Sequence, residues 1–166
     1  MPKPSPGPRI LSFHDGVAVA QVGPLCVVIW REAVTPQRFE RQRAGLEKVL
    51  EDREDGAGFL CVIEPTSAPP DDALRRASTQ MVETHADRLK CVAVVIEGEG
   101  FRAAITRSVI SGMALLLPRR IQATAFSTVR DALVWIARYL PVTPIDRTAS
   151  LVEWARGHLN SSSRSA

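Results

Sequence analysis

Aromatic residues are scarce in this chain: Phe, Trp and Tyr make up 5% of 166 residues, with a single tyrosine. Proteins that grip single-stranded nucleic acid interleave aromatic platforms with basic residues. That pairing is missing, so nucleic acid is a disfavoured partner. Long apolar runs are missing as well. The longest, Met113 to Leu117 with Val109 and Ile110 just before it, falls far short of the ~20 residues a membrane helix needs. The opening Met1-Pro2-Lys3-Pro4-Ser5-Pro6-Gly7-Pro8 leads into no apolar signal-peptide core, and a cytoplasmic location is expected. Cysteine is equally sparse. Cys26, Cys61 and Cys91 are odd in number, each inside an apolar segment, and no C-x-x-C pair occurs. Metal and redox motifs are thereby excluded, and all three read as core residues. No internal repeat of about 20–50 residues is visible.

What is present suits one globular domain, with 45% apolar and 23% charged residues. The net charge of +3 is unevenly spread. Residues 1–83 hold ten basic and twelve acidic side chains, residues 84–166 eleven and six. Six arginines and one acid, Asp131, lie between Arg102 and Arg138. Arginine grips carboxylates and phosphates bidentately, so one positive face is expected, meeting an acidic protein partner or an anionic headgroup.

Periodicity sets out the elements. Residues 1–11, rich in proline, read as a flexible arm. Val17–Val22 and Leu25–Trp30, joined by Gly23-Pro24, read as an antiparallel hairpin. Thr35-Pro36 is a helix start, and Phe39, Leu46, Val49 and Leu50 share one face of that helix. Phe59–Ile63 and Cys91–Ile96 are apolar on both faces, as buried parallel strands are. Between them lies a helix from Asp71-Asp72, with Leu74, Ala77, Met81, Val82, His85 and Leu89 on its inner stripe. A helix over 101–117, a strand over 121–126 and a helix opened by Thr128-x-x-Asp131 follow. Leu151, Trp154, Ala155 and Leu159 mark a last helix within 141–160, and 161–166 read as a loose tail. The order ββαβαβαβα plus a C-terminal helix predicts an α/β domain over 12–140. Its sheet is five-stranded, mixed and mostly parallel, flanked by helices.

Two stretches carry a resemblance: Val92-Ala93-Val94-Val95-Ile96-Glu97-Gly98-Glu99-Gly100-Phe101, and Ala125-Phe126-Ser127-Thr128-Val129-Arg130-Asp131-Ala132-Leu133-Val134-Trp135-Ile136. With the element order they resemble the STAS domain, and its SpoIIAA-like (anti-sigma-factor antagonist-like) branch in particular. The resemblance implies a non-enzymatic regulatory or scaffolding module that works by protein contact, without a cofactor, and in this branch with a small apolar ligand. The family's switch serine lies in a D-S-[ST]-G motif after the third strand. Here the loop is Glu64-Pro65-Thr66-Ser67-Ala68-Pro69-Pro70, so Thr66 and Ser67 are the matching phosphorylation candidates. The motif's aspartate and glycine are absent, and Asp71 and Asp72 would oppose a phosphate.

Chemistry narrows the remaining candidates. Gly98-x-Gly100-x-x-Ala103 mimics a dinucleotide fingerprint. It belongs to a late βα unit, however, with Glu99 in the loop and no acid ending the next strand. His14, His85, His158, Glu64, Glu97 and Glu99 supply acids and bases without a positioned nucleophile, so no catalytic residue and no metal site is expected. Glu64 and Glu97 both end parallel strands and are expected to approach each other. The expected partner-binding face comprises Glu64, Glu97, Gly98, Glu99, Gly100, Arg102 and Arg107, at the loops where such sheets bind. In helix 101–117, polar residues crowd the first half. Val109, Gly112, Met113 and Leu116 are expected to form an apolar pocket for a lipid-like ligand or a homodimer interface, or to be covered by Leu151, Val152 and Trp154 of the last helix.

Overall fold

The structure is a computed structural model that describes residues 7–14, 16–141 and 144–162; the side chains of 101, 102, 113, 116 and 160–162 lie outside that description. A six-stranded sheet runs β1(Arg9–His14), β2(Val17–Val22), β3(Leu25–Trp30), β4(Ala57–Ile63), β5(Leu89–Ile96) and β6(Gln122–Phe126), paired in that spatial order. β1, β2 and β3 pair with one another antiparallel, and β3 to β6 pair parallel. The helices are α1(Pro36–Glu51), α2(Asp72–Thr84), α3(Phe101–Leu116), α4(Val129–Ile136) and α5(Ile145–Ser162).

The sixth strand corrects the expected count of five. Arg9–His14, expected as the end of a flexible arm and the start of the domain, pairs along β2 with a bulge between Ile10 and Ser12. That bulge breaks the alternation by which an edge strand is recognised. Gly16, at φ 80°, supplies the left-handed backbone for the turn into β2. The first six residues of the arm and residues 163–166 of the tail lie outside the described residues.

Strand parity divides the core into two layers. Val17, Val19, Cys26, Val28, Trp30, Phe59, Cys61 and Val92 face α1 and α2. Ala18, Ala20, Val27, Ile29, Leu60, Val62, Ala93 and Val95 face α4 and α5. Strands β3 to β5 are buried on both sides, as their unbroken apolar sequences require. Gly45 of α1 sits where an added Cβ would lie 2.3 Å from Val19, so this glycine lets the helix pack close to the sheet.

Helix α5 settles one expectation. Val152, Ala155 and Leu159 are buried against the sheet face opposite α1 and α2, whereas Ile110, Ala114 and Leu117 of the α3 region border the α1–α2 layer. The last helix therefore does not cover α3. The sheet lies between them.

Caps locate the helix starts well. Thr35 accepts from the Arg38 amide at 3.3 Å, and Asp71 from the Leu74 amide at 2.8 Å. Thr35→Ala is expected to lose about 1 kcal/mol in urea unfolding. A change under about 0.3 kcal/mol would mean the cap contributes nothing.

Candidate functional site

Two sites lie on or beside the helix-covered half of the parallel sheet. The first is at the carboxyl ends of β4 and β5, where successive loops leave a concave, polar opening of about 140 Å³. It is lined by Glu64, Ser67, Glu97, Gly98, Glu99 and Thr106, among others. Glu64, Glu97, Gly98 and Glu99 of the expected partner face thus border one groove. Gly98 and Gly100 adopt φ of 98° and 90°, and the loop they shape stands exposed. Arg107 is tied to the rim of the same groove, donating to the carbonyl of Ile96, the last residue of β5, at 3.3 Å. The Arg102 side chain lies outside the described residues.

The floor of this groove is an ion cluster. Glu64, 6% exposed, accepts two bonds from Arg31, Nε to Oε2 at 2.5 Å and Nη2 to Oε1 at 3.0 Å. Arg156 of α5 stands with Nε 3.2 Å from Glu64 Oε1, an ion-pair contact too bent to be a hydrogen bond. Its Nη2 reaches Glu97. Glu64 and Glu97 do come together, through a shared arginine rather than a shared proton. Each carboxylate is held by guanidinium, an arrangement suited to fixing loops rather than to acid–base chemistry. Nothing local in the sequence marks Arg31 or Arg156, because the partners lie 33 and 59 residues apart.

Of the two hydroxyls on this loop, Ser67 turns inward and Thr66 stays exposed. The Thr66 hydroxyl donates to the Arg31 carbonyl at 2.9 Å, and that of Ser67 to the Glu32 carbonyl at 3.0 Å. Ser67 is 7% exposed, so a phosphate there would have to break this bond and expel the side chain from the interior. Both residues clamp the β4–α2 loop to the β3–α1 loop.

The second site is a cavity of about 110 Å³ between the sheet and helices α1, α2 and α3. Phe59, Cys61, Val92, Val94 and Ala123 form its floor, and Phe39, Met81, Val82, Ile110, Ala114 and Leu117 its walls. Arg75, Ser78, Thr79 and Ser67 supply polar groups; Arg75, itself paired with Asp72, is partly exposed. An engineered cavity of about 150 Å³ with similar walls takes up benzene, so one ring or a short alkyl branch matches this volume. The expected pocket residues stand differently. Val109 and Gly112 are exposed on the outer side of α3, together with Ile105 and Leu115, and the cavity takes Ile110, Ala114 and Leu117 instead. The Met113 and Leu116 side chains lie outside the described residues.

Burial pushes the Cys61 thiol up to about 12, with the Trp30 indole pulling slightly the other way. Cys91 is pushed to about 12 by burial alone. These thiols stay protonated near neutrality and serve as apolar lining. Among the described residues no group of three His, Cys, Asp or Glu side chains is placed to hold a metal ion. No helix among them is long and apolar enough to cross a membrane.

The arginines expected to make one positive face are divided. Arg107 lies near the carboxyl end of β5 and Arg130 opens α4, while Arg119 and Arg120 follow α3 at the other end of the sheet. Arg120 pairs with Asp87 and Arg130 with Asp146.

Comparison with solved structures decides the fold. A protein of the DUF3478 family from Shewanella loihica PV-4, described as having a SpoIIAA-like fold, superimposes with a TM-score of 0.51 at 16% identity. The match covers 78% of this chain and 93% of that one. This chain has a SpoIIAA-like fold. No protein-family model and no curated protein matches the sequence. In the SpoIIAA-like frame, the loop groove sits at the carboxyl ends of the parallel strands, and the apolar cavity lies beneath the helices that cross between them.

Proposed function

We propose that this protein is a non-enzymatic binding module whose ligand is a small, largely apolar molecule held between the sheet and helices α1 to α3. The observation that carries this reading is the apolar lining of that cavity. A dense core would close such a space, since interiors pack like organic crystals and each void forfeits contacts. A space bordered by three helices, with polar groups confined to a few positions, is the form small-molecule sites take.

Toluene titration followed by methyl NMR tests it. The Val82, Val92 and Ile110 methyl resonances shift saturably in the wild type. In Ala114→Trp, where an indole fills the space, they do not respond, while the fold is retained because Ala114 is only partly buried. Unmoved methyls in the wild type would overturn the reading.

A second reading, regulation by protein contact at the loop groove, draws on a separate observation. The 98–100 loop projects from the sheet end with the Glu99 carboxylate exposed. Under this reading Glu99→Arg changes association with the partner and leaves toluene uptake untouched.

A further inference from the structure

Among the described residues Gln42 is the one side-chain amide in a cavity walled mostly by hydrocarbon and sulfur, with a few hydroxyls, the Trp30 indole and the Arg75 guanidinium, and it is 4% exposed. Its orientation is fixed by a neighbour. The Trp30 indole can only donate, and its Nε1 donates to Gln42 Oε1 at 2.9 Å. The amide nitrogen must then point the other way. There its one partner among the described residues is the Met81 sulfur at 3.9 Å, a weak acceptor for a group with two N–H donors. A buried amide that lacks acceptors is costly, and both Gln42 and Met81 border the cavity.

We infer that Gln42 is the polar anchor of the cavity, donating through Nε2 to an uncharged oxygen acceptor, a carbonyl or ether, on an otherwise apolar ligand. This rests on the cavity being a binding site and adds the chemical class of what it takes. The surroundings of Gln42 disfavour charge. A carboxylate beside Gln42 would be buried against a neutral amide, while the cation among the lining residues, Arg75, is partly exposed and pairs with Asp72 at the surface. Desolvating an anion without a counter-charge costs more than one amide bond returns. A ligand with no acceptor fits by shape but leaves the amide unmatched. Sites with a buried polar group discriminate strongly against ligands that cannot satisfy it.

The test compares three probes of nearly equal shape, acetophenone, ethylbenzene and benzoate, by NMR titration of the wild type. The indole Nε1–H of Trp30 and the side-chain amide of Gln42 serve as reporters. Acetophenone is expected to bind about five- to tenfold tighter than ethylbenzene, the worth of one net hydrogen bond, to move the Gln42 amide resonances, and to outcompete benzoate. In Gln42→Met, which keeps the length and loses the donor, the preference for acetophenone disappears while ethylbenzene still binds. The wild-type comparison stands even if that variant folds poorly. Equal or tighter binding of ethylbenzene, or tightest binding of benzoate, overturns the anchor and leaves the cavity reading intact. If none of the three binds, the cavity reading itself is wrong.

Discussion

Glu64→Gln is expected to lose about 3–5 kcal/mol of folding stability, the usual cost of removing one partner from a buried ion pair. The reason lies in what remains. Arg31, with its side chain 13% exposed, would keep its charge beside an amide that cannot neutralise it, while Arg156, 20% exposed, would be left to Glu97 and Glu153. Arg31 also donates to the Arg156 carbonyl at 3.2 Å, so the damage reaches α5 as well as the β4 loop. Urea unfolding should show a lower midpoint with an unchanged slope, since the exposed surface on unfolding is the same. Combining Glu64→Leu with Arg31→Met is expected to recover much of the loss, because an apolar pair needs no counter-charge. A loss under about 1 kcal/mol for the single variant would mean that water screens the cluster as it does a surface pair.

Trp30→Ala should be as severe, at about 3–5 kcal/mol. Trp30 is 2% exposed and joins the α1 layer of the core to the cavity wall. Removing it deletes apolar contacts, opens a void continuous with the existing space, and strands Gln42 Oε1, which loses its donor. For a chain of this size that loss lowers Tm by roughly 6–20 °C. Added indole should restore part of it, because a ligand that binds only the folded state stabilises by mass action. Calorimetry with and without millimolar indole checks both claims. A small drop in Tm, or no response to indole, would mean that the wall collapses onto the void.

The sequence revealed most where the physics is local. Thr35-Pro36 and Asp71-Asp72 mark helix starts because a capping oxygen and its amide lie three residues apart. The apolar strands Leu25–Trp30, Ala57–Ile63 and Leu89–Ile96 announce a doubly covered sheet because both faces are buried. β1 escaped notice because its bulge disrupts alternation, although Asp15-Gly16 is a hairpin dipeptide and a usable signal. Gln42 lies in the stripe Phe39, Gln42, Leu46, Val49, at helical spacings of three and four. A lone amide in such a stripe is the local signal of a polar group facing the core.

The site was harder to read for a physical reason. Which side of α3 meets the sheet depends on a helix whose apolar residues nearly encircle it, so periodicity alone did not separate Val109 and Gly112 from Ile110 and Ala114. The loop groove was easier, because residues ending adjacent parallel strands must converge. Glu64 and Glu97 do so through Arg156, which packs in from the far end of the chain.

Native mass spectrometry of the protein purified from cells, beside its Ala114→Trp variant, tests the central claim most directly. The account predicts a wild-type population carrying one small, uncharged molecule, released by mild collisional activation and absent from the variant. Bare protein mass from both would contradict it.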